Sequence, residues 1–426
     1  MVVFMAIPAV AMATEPLSDP HDNFNDLNLP AVPQQPWAFK GFPILAWWPP
    51  PGTASLQDFN RYKDAGFTLY CANPDAGFEQ SLHFARQVGL PVIAWRTRQG
   101  FSTPAPAQPV VFPTHESNIV GWIVADEPSG RNQVVATITE MNRLLRQDPA
   151  RLAFFNLLPP NAQGSPKTDA IIQAAVRNGM RIISYDNYVI NADGTDRTQE
   201  FVDNLEILRR ASLRHALPFW AFALTLQHGG YRRPSESDVR WNQYMNLAYG
   251  AKGLWYFCYW GPTDWDSYDK KAIVNPANGE MTELYESVKA INKNVLAMGD
   301  VLLGLTSEEV VHTTPPAGHR AFSAGQYWIS GLVAKDAAIG FFRDATRSPY
   351  AMVVNKLHGR NKSAYETADM IELTFAPNVA SVTAVNWLDG QPAKLELKNH
   401  KAVLRISGGT GVLLKAAVRQ PQDHRE

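Results

Sequence analysis

Eight short runs of nearly unbroken apolar residues mark the first two-thirds of the chain, and amphipathic stretches separate most of them. The runs are Pro43–Trp48, Phe67–Asn73, Pro91–Thr97, Ile119–Pro128, Arg151–Leu158, Arg181–Ile190, Pro218–Gln227 and Gly253–Trp260. A strand with one wet face alternates polar and apolar residues, whereas a strand buried on both faces must be apolar throughout. The intervening segments 56–67, 78–89, 132–147, 200–216, 239–251 and 281–304 carry apolar residues at helical spacing. Strand and helix in alternation imply a parallel sheet covered by helices. Eight such units in a span close to the ~250 residues of a (β/α)8 barrel make that closed TIM barrel the expected fold. The open doubly wound sheet is the alternative. It usually carries a glycine-rich phosphate turn after its first strand, but here that turn reads WWPPPGTAS. A dinucleotide therefore has no support, and no cofactor is expected.

The helical rhythm stops near residue 306. Short strand-like runs follow, separated by turn signals such as Asp389-Gly390 and Gly408-Gly409. The expected organisation is a barrel over 36–305 and an antiparallel β-sandwich over 306–418. Residues 14–35, rich in Pro, Asp and Asn, read as an exposed, extended lead-in. Residues 1–13 form an apolar run ending Ala11-Met12-Ala13 before polar Thr14-Glu15-Pro16. That pattern fits a secretory signal peptide cleaved after Ala13, which would place the protein in a secreted or periplasmic setting. No later run approaches the ~18 apolar residues of a spanning helix, so no membrane insertion is expected.

With 39 basic and 40 acidic residues, the chain lacks the basic excess of a nucleic-acid binder. Cys71 and Cys258 are the two cysteines, and without CxxC spacing they read as buried thiols. No HExxH or paired-histidine spacing appears, so no metal centre is expected. Aromatic residues reach 11%, including 12 Trp. Trp122, Trp220 and Trp255 fit a core, while Trp47, Trp48, Trp95, Trp260 and Trp265 fall toward the carboxyl ends of the runs. Trp328 and Trp387, within the sandwich strands, also fit a core.

In such a barrel the chemistry sits at the carboxyl ends of the strands. Run four ends GWIVADEP. An acidic pair directly after an apolar strand is costly unless it faces a polar cavity. Burial raises a carboxyl pKa and lets it act as a general acid. Glu127 is the expected acid, with its backbone held extended by Pro128, and Asp126 a helper that tunes it. A helix-capping role is the competing reading, but Ser129 fits the cap of the following helix better. Asp186, between Tyr185 and Tyr188, is the second carboxylate, a nucleophile or water-activating base. Two acids at one mouth are the machinery of glycoside hydrolysis. Trp47, Asp75, Arg96, Asn156, Tyr188, Gln227, His228, Trp260 and Trp265 would bind substrate, the aromatics stacking on apolar sugar faces. Asp264 and Asp266 are reserve carboxylates. A carbohydrate is thus the expected ligand.

GWIVADEPS resembles the end of strand four in clan A glycoside hydrolases, where an Asn-Glu-Pro segment holds the general acid/base. Asp126 stands where that family has Asn, and Glu127 matches its Glu. The segments Ser235–Trp260 and Asn278–Val295 are similar to the last barrel helices and strand of family 42-like β-galactosidases. The resemblance implies a TIM-barrel glycosidase with an appended sandwich. It departs at strand seven, where clan A carries its nucleophilic Glu: FWAFALTLQHGG ends in Gln227, and the next Glu is Glu236. A non-catalytic carbohydrate-binding barrel is the alternative that this departure raises.

Overall fold

The computed structural model describes residues 24–33, 35–73, 77–95, 118–163, 165–262, 271–385 and 390–419. Eight parallel strands form one sheet: β1 (Ile44–Trp47), β2 (Tyr70–Ala72), β3 (Val92–Trp95), β4 (Ile119–Asp126), β5 (Leu152–Leu157), β6 (Ile183–Tyr185), β7 (Phe219–Leu224) and β8 (Gly253–Phe257). Strand order runs β2 to β8 in sequence and then β1, the order of a (β/α)8 barrel. The helices are α1 (Leu56–Asp64), α2 (Phe78–Gln87), α3 (Arg131–Gln147), α4 (Pro160–Gln163), α5 (Ser165–Arg177), α6 (Thr198–His215), α7 (Glu236–Ala248) and α8 (Leu284–Leu303). Helix α5 was not among the expected amphipathic stretches, although Thr168, Ile171, Ile172 and Ala175 bury one face at helical spacing. Among the described residues no helix is long and apolar enough to cross a membrane.

The barrel interior is packed with aromatic rings. Trp47 meets Trp95, Trp255 and Phe222 edge to face at centroid distances of 5.0, 5.5 and 5.7 Å. Phe222 stacks on Trp255 at 5.0 Å. Such pairs add about 0.5–1.5 kcal/mol each beyond burial. Gly253 makes room for this packing, since a Cβ there would meet the Trp220 ring at 2.5 Å. At the amino ends of the strands, Trp37 packs at a tilt against Phe39 and Trp220 and donates its indole N–H to the Val120 carbonyl at 2.8 Å.

The seam between β1 and β2 is closed differently from the other strand pairs. Thr68 N–H donates to the Ile44 carbonyl, and the Thr68 hydroxyl accepts from Ile44 N–H at 2.8 Å. The buried Tyr62 hydroxyl, reaching in from α1, accepts from Ala46 N–H at 3.1 Å and donates to the Leu69 carbonyl at 3.0 Å. One side chain thus satisfies a backbone group on each side of the seam.

Most of residues 24–33 are exposed, and the segment is tied down at particular points. Phe24 is fully buried beneath the Arg131 guanidinium, 5.4 Å from the ring centroid. Asn178 and Asn142 side chains hydrogen-bond the backbone of Leu27, Leu29 and Pro30, and Arg181 holds the Gln35 carbonyl. Pro-rich and aperiodic, the segment cannot pair in the sheet. Amide side chains on α3 and in the turn after α5 supply its hydrogen bonds instead. Residues 1–13, with the signal-peptide reading, lie outside the described residues.

A small hairpin, β9 (Val274–Asn275) and β10 (Glu280–Met281), precedes α8. The C-terminal strands are β11 (Thr306–His312), β12 (Arg320–Ala321), β13 (Ile329–Val333), β14 (Ala337–Arg343), β15 (Pro349–Asn355), β16 (Asp369–Phe375), β17 (Val379–Val385), β18 (Pro392–Lys394), β19 (Lys401–Ile406) and β20 (Gly411–Val418). They form a mostly antiparallel sandwich of a seven-stranded sheet and a three-stranded β13-β16-β19 sheet. Its core includes Ile339, Phe341, Val353, Ile371, Leu373 and Phe375, with Trp328 half-buried against it. Trp387 is outside the described residues.

The chain divides into two compact units, but not at 305/306. Pro234–Lys252 and the residues from Glu286 onward group with the sandwich. Helix α7 approaches the sandwich backbone closely, and only glycine permits it. A Cβ at Gly340 would meet the Ala248 carbonyl oxygen at 2.0 Å, and one at Gly409 the Ser237 carbonyl oxygen at 2.4 Å. Helix α7 carries eleven buried residues rather than one apolar stripe.

Replacing Tyr62 by Phe should cost about 1–3 kcal/mol, because it strands the buried Ala46 N–H. Denaturant unfolding measures this; an unchanged midpoint would show that the seam does not need the bridge.

Candidate active site

The site is built from the last residues of β4 and β5 and the segment after β6. A register shift between Ile123 and Asp126 sets Asp126 across from Asn156, and Asn156 lies across from Ser184 on β6. In a plain strand, successive side chains face opposite ways. Glu127 breaks the alternation with a left-handed backbone, φ +46°, instead of the extended geometry expected from Pro128. Its N–H donates to the Asn156 carbonyl at 2.9 Å. Its carboxyl and that of Asp186 interact strongly enough to shift each other's pKa. These interactions hold a conformation that costs a non-glycine residue about 1–3 kcal/mol. The result is that both carboxyls of the acidic pair face Asp186.

Asn156 is the clamp of the cluster. Its Nδ2 donates to Asp186 Oδ1 at 2.6 Å and to Asp126 Oδ1 at 3.3 Å. Its Oδ1 accepts from the Ser184 hydroxyl at 2.9 Å, which fixes the amide's orientation. Both amide hydrogens and the carbonyl are therefore engaged. Asn156 was expected to touch substrate; the structure uses it to position the aspartates.

Burial pushes all three carboxyl pKa values up, and mutual repulsion adds to the rise at Glu127 and Asp126. The rise is larger at Glu127 than at Asp186, whose anion is favoured by its interactions with Asn156, Glu127 and Tyr188. These directions favour a protonated Glu127 beside an ionised Asp186. Asp126 and Glu127 remain half-open to solvent, so a ligand can reach them. Neither caps α3, which starts at Arg131 behind Gly130; the Ser129 N–H pairs with the Gln133 side chain.

An aromatic wall adjoins Asp186. The half-buried Tyr188, bonded to Asp186, packs on Phe257, His228 and Tyr231 at centroid distances of 5.5, 5.5 and 5.8 Å. Phe257 continues to Trp48 at 5.1 Å. Backbone bonds from Ala192 N–H to the Gly230 carbonyl and from Arg232 N–H to the Ile190 carbonyl zip the loops after β6 and β7 together behind this wall. Burial pushes His228 down to about 4, so its imidazole is neutral at ordinary pH. Phe257 and Tyr231 were not among the expected binding residues. The only signal for them was the place of Phe257 at the end of strand eight and of Tyr231 in the loop after strand seven.

The other expected residues are distributed unevenly. Trp47 and Trp95 are 2% and 1% exposed and belong to the barrel core rather than a binding surface. Their side chains point into the barrel, where apolar volume must be filled. Trp260 is half-buried, with the Gly279 hairpin against its ring. Gln227 is exposed, and no contact ties it to the carboxyls. Asp75, Arg96, Asp264, Trp265 and Asp266 lie outside the described residues. At the end of β7 the buried Thr225 donates its hydroxyl to the Cys258 carbonyl at 2.7 Å, so this strand end presents no carboxylate. Cys71 and Cys258 are buried, and burial raises both thiols, which keeps them un-ionised. Among the described residues no group of three or more His, Cys, Asp or Glu could hold a metal ion.

No family model matches the chain, and no curated protein matches it in sequence. In fold it is similar to a β-galactosidase from Bacillus circulans sp. alkalophilus, with a TM-score of 0.58 at 10% identity, over 89% of this chain and 99% of that one. A β-galactosidase from the psychrophilic Marinomonas ef1 scores 0.48 at 12% identity, and the match spans 63% of each chain. A GH27 β-L-arabinopyranosidase from Geobacillus stearothermophilus scores 0.46 at 10% identity, over 95% of this chain and 100% of that one. The likeness to the Bacillus circulans enzyme is one of fold.

A carboxyl whose pKa is raised on folding contributes stability at low pH and loses it as pH rises through the folded value. Asp126→Asn removes a charge while keeping an oxygen acceptor for Asn156. The variant should exceed wild type in stability by about 1 kcal/mol or more at pH 8, one pKa unit being about 1.4 kcal/mol. The gap should close near pH 4, and urea unfolding at the two pH values measures it. A gap that is constant with pH would contradict a raised Asp126.

Proposed function

We propose that the protein is a glycoside hydrolase that cleaves glycosidic bonds of an oligo- or polysaccharide, with Glu127 as the general acid. The observation that carries this reading is the cluster of Asp126, Glu127 and Asp186 beside the Asn156 amide at the carboxyl ends of barrel strands, with the pKa of each carboxyl raised by burial. A proton held on Glu127 at neutral pH is what a leaving glycosidic oxygen needs. An ionised Asp186 beside it can stabilise the positive charge that develops at the sugar ring. Asp126 adds repulsion that keeps the Glu127 proton in place. The wall of Tyr188, Phe257, His228 and Trp48 offers apolar faces and polar rims suited to a sugar ring. The likeness in fold to a β-galactosidase agrees with this reading. An apolar N-terminal run with a cleavable Ala-Met-Ala end supports a secreted or periplasmic site of action.

The β7 end, which carries no carboxylate, favours a second reading: a barrel that binds carbohydrate without cleaving it. A panel of aryl glycosides separates the two. Hydrolysis by wild type, falling about 10²–10⁴-fold in kcat/KM for Glu127→Gln, is the expected result. Binding of oligosaccharide with no hydrolysis would establish the second reading. If cleavage survives Glu127→Gln undiminished, the assignment of the acid fails.

Activity requires Asp186 ionised and Glu127 protonated. Since burial raises Asp186, the acid limb of the pH–kcat/KM profile should fall above the usual carboxylate value of about 4. The alkaline limb should lie higher still, following Glu127. An acid limb at about 4 or below would contradict a raised Asp186.

A further inference from the structure

Asp126, Asn156 and Ser184 lie side by side on β4, β5 and β6, one residue per strand in register. Asp186 follows two residues after Ser184. One primary amide is thus shared between two carboxyls, one N–H to each. The two bonds are unequal. Asn156 Nδ2 lies 2.6 Å from Asp186 Oδ1, as short as a charge-assisted bond, and 3.3 Å from Asp126 Oδ1, longer than the usual N–H···O range. A hydrogen bond to a carboxylate favours its anion. The amide therefore favours charge on Asp186 over charge on Asp126. Two neighbouring carboxyls do not ionise independently, so such a bias decides which one gives up its proton first. The pKa directions agree: burial raises both groups, and Asp186 is raised less than Asp126.

The amide is itself held by Ser184. The Ser184 hydroxyl donates to Asn156 Oδ1 at 2.9 Å, and the two residues are 1% and 2% exposed. Burial that deep leaves water no room to replace the bond and leaves Ser184 no surface to meet a ligand. A donor on the amide oxygen keeps Nδ2 turned toward the aspartates. It also polarises the amide, which strengthens the two N–H groups as donors.

We propose that Ser184, acting through the Asn156 amide, is a positioning residue that makes Asp186 ionise before Asp126. Among the described residues, the titratable groups that interact with the two aspartates are Glu127 at the end of β4, Cys71 on β2, Tyr185 on β6, Tyr188 just after it and Tyr231 after β7. Burial raises the thiol and the three phenols and keeps them neutral, so Glu127 is the third partner in the titration. The catalytic consequence alone rests on the glycosidase reading: there, the order of ionisation places the anion on Asp186 while Asp126 still holds a proton.

Carbon-13 NMR of the full chain labelled at the aspartate side-chain carboxyls tests the order. The two resonances are identified by their loss in Asp126→Asn and Asp186→Asn. In wild type the Asp186 midpoint should lie below that of Asp126. Asn156→Leu, which removes the donors and fills the volume, should raise the Asp186 midpoint by about one pH unit or more and close the gap. Ser184→Ala should narrow the gap in the same direction by a smaller amount, and Ser184→Thr, which keeps the hydroxyl, should restore it. A gap unchanged in Ser184→Ala, or Asp126 ionising first in wild type, would overturn the proposal. So would a joint fall of both midpoints toward about 4, since loosened packing alone produces that. On an aryl glycoside that wild type cleaves, the acid limb of kcat/KM should move up with the Asp186 midpoint in Ser184→Ala. If no glycoside is cleaved, the glycosidase reading falls, and the carboxyl titration still decides the order.

Discussion

Three carboxyl groups can occupy one poorly solvated pocket only if protons and amide hydrogens prevent all three charges from developing together. The Asn156 amide meets that condition. It gives one hydrogen to Asp186 and one to Asp126, while Ser184 fixes which end of the amide faces them. Glu127 completes the cluster by holding a proton beside Asp186. The rest of the site depends on this arrangement: the protonation order, the left-handed turn at Glu127, and the orientation of Tyr188.

The barrel supplies the rigidity such a cluster needs. Its interior is filled by Trp47, Trp95, Trp220, Trp255 and Phe222, large rings that interlock without polar compromise at their faces. Trp37 lies against the barrel interior near the amino ends of the strands, and Leu29 and Pro30 are strapped to the turn after α5 and to α3. Packing below and ordered strand ends above fix the positions of residues 126, 156 and 186 relative to one another. Preorganised charge of this kind requires no reorganisation when positive charge develops at a substrate.

Much of this architecture is legible in the sequence. Eight apolar runs with helical segments between them can be satisfied by few folds, and GWIVADEP and SYDNY mark where acids leave apolar strands. The role of Asn156 is not legible, because a buried amide serving substrate and one serving neighbouring acids look identical in sequence. The separation of Glu127 and Asp186 depends on one backbone dihedral, and Pro128 alone points to the wrong value. The tryptophans divide differently from their strand positions: Trp47 and Trp95 face inward, so the cleft surface falls to Trp48, Phe257, Tyr188 and His228. The lead-in is hidden for a related reason. Its partners Asn142 and Asn178 lie more than a hundred residues away, and no local pattern announces them.

The central claim is that Glu127 holds a proton in the resting protein beside an ionised Asp186. Carbon-13 NMR of protein labelled at the glutamate side-chain carboxyls reads this directly, with the Glu127 resonance identified by its loss in Glu127→Gln. This carboxyl should stay protonated through neutral pH and titrate only above it. A Glu127 resonance that titrates with the surface glutamates, near pH 4 to 5, would contradict it.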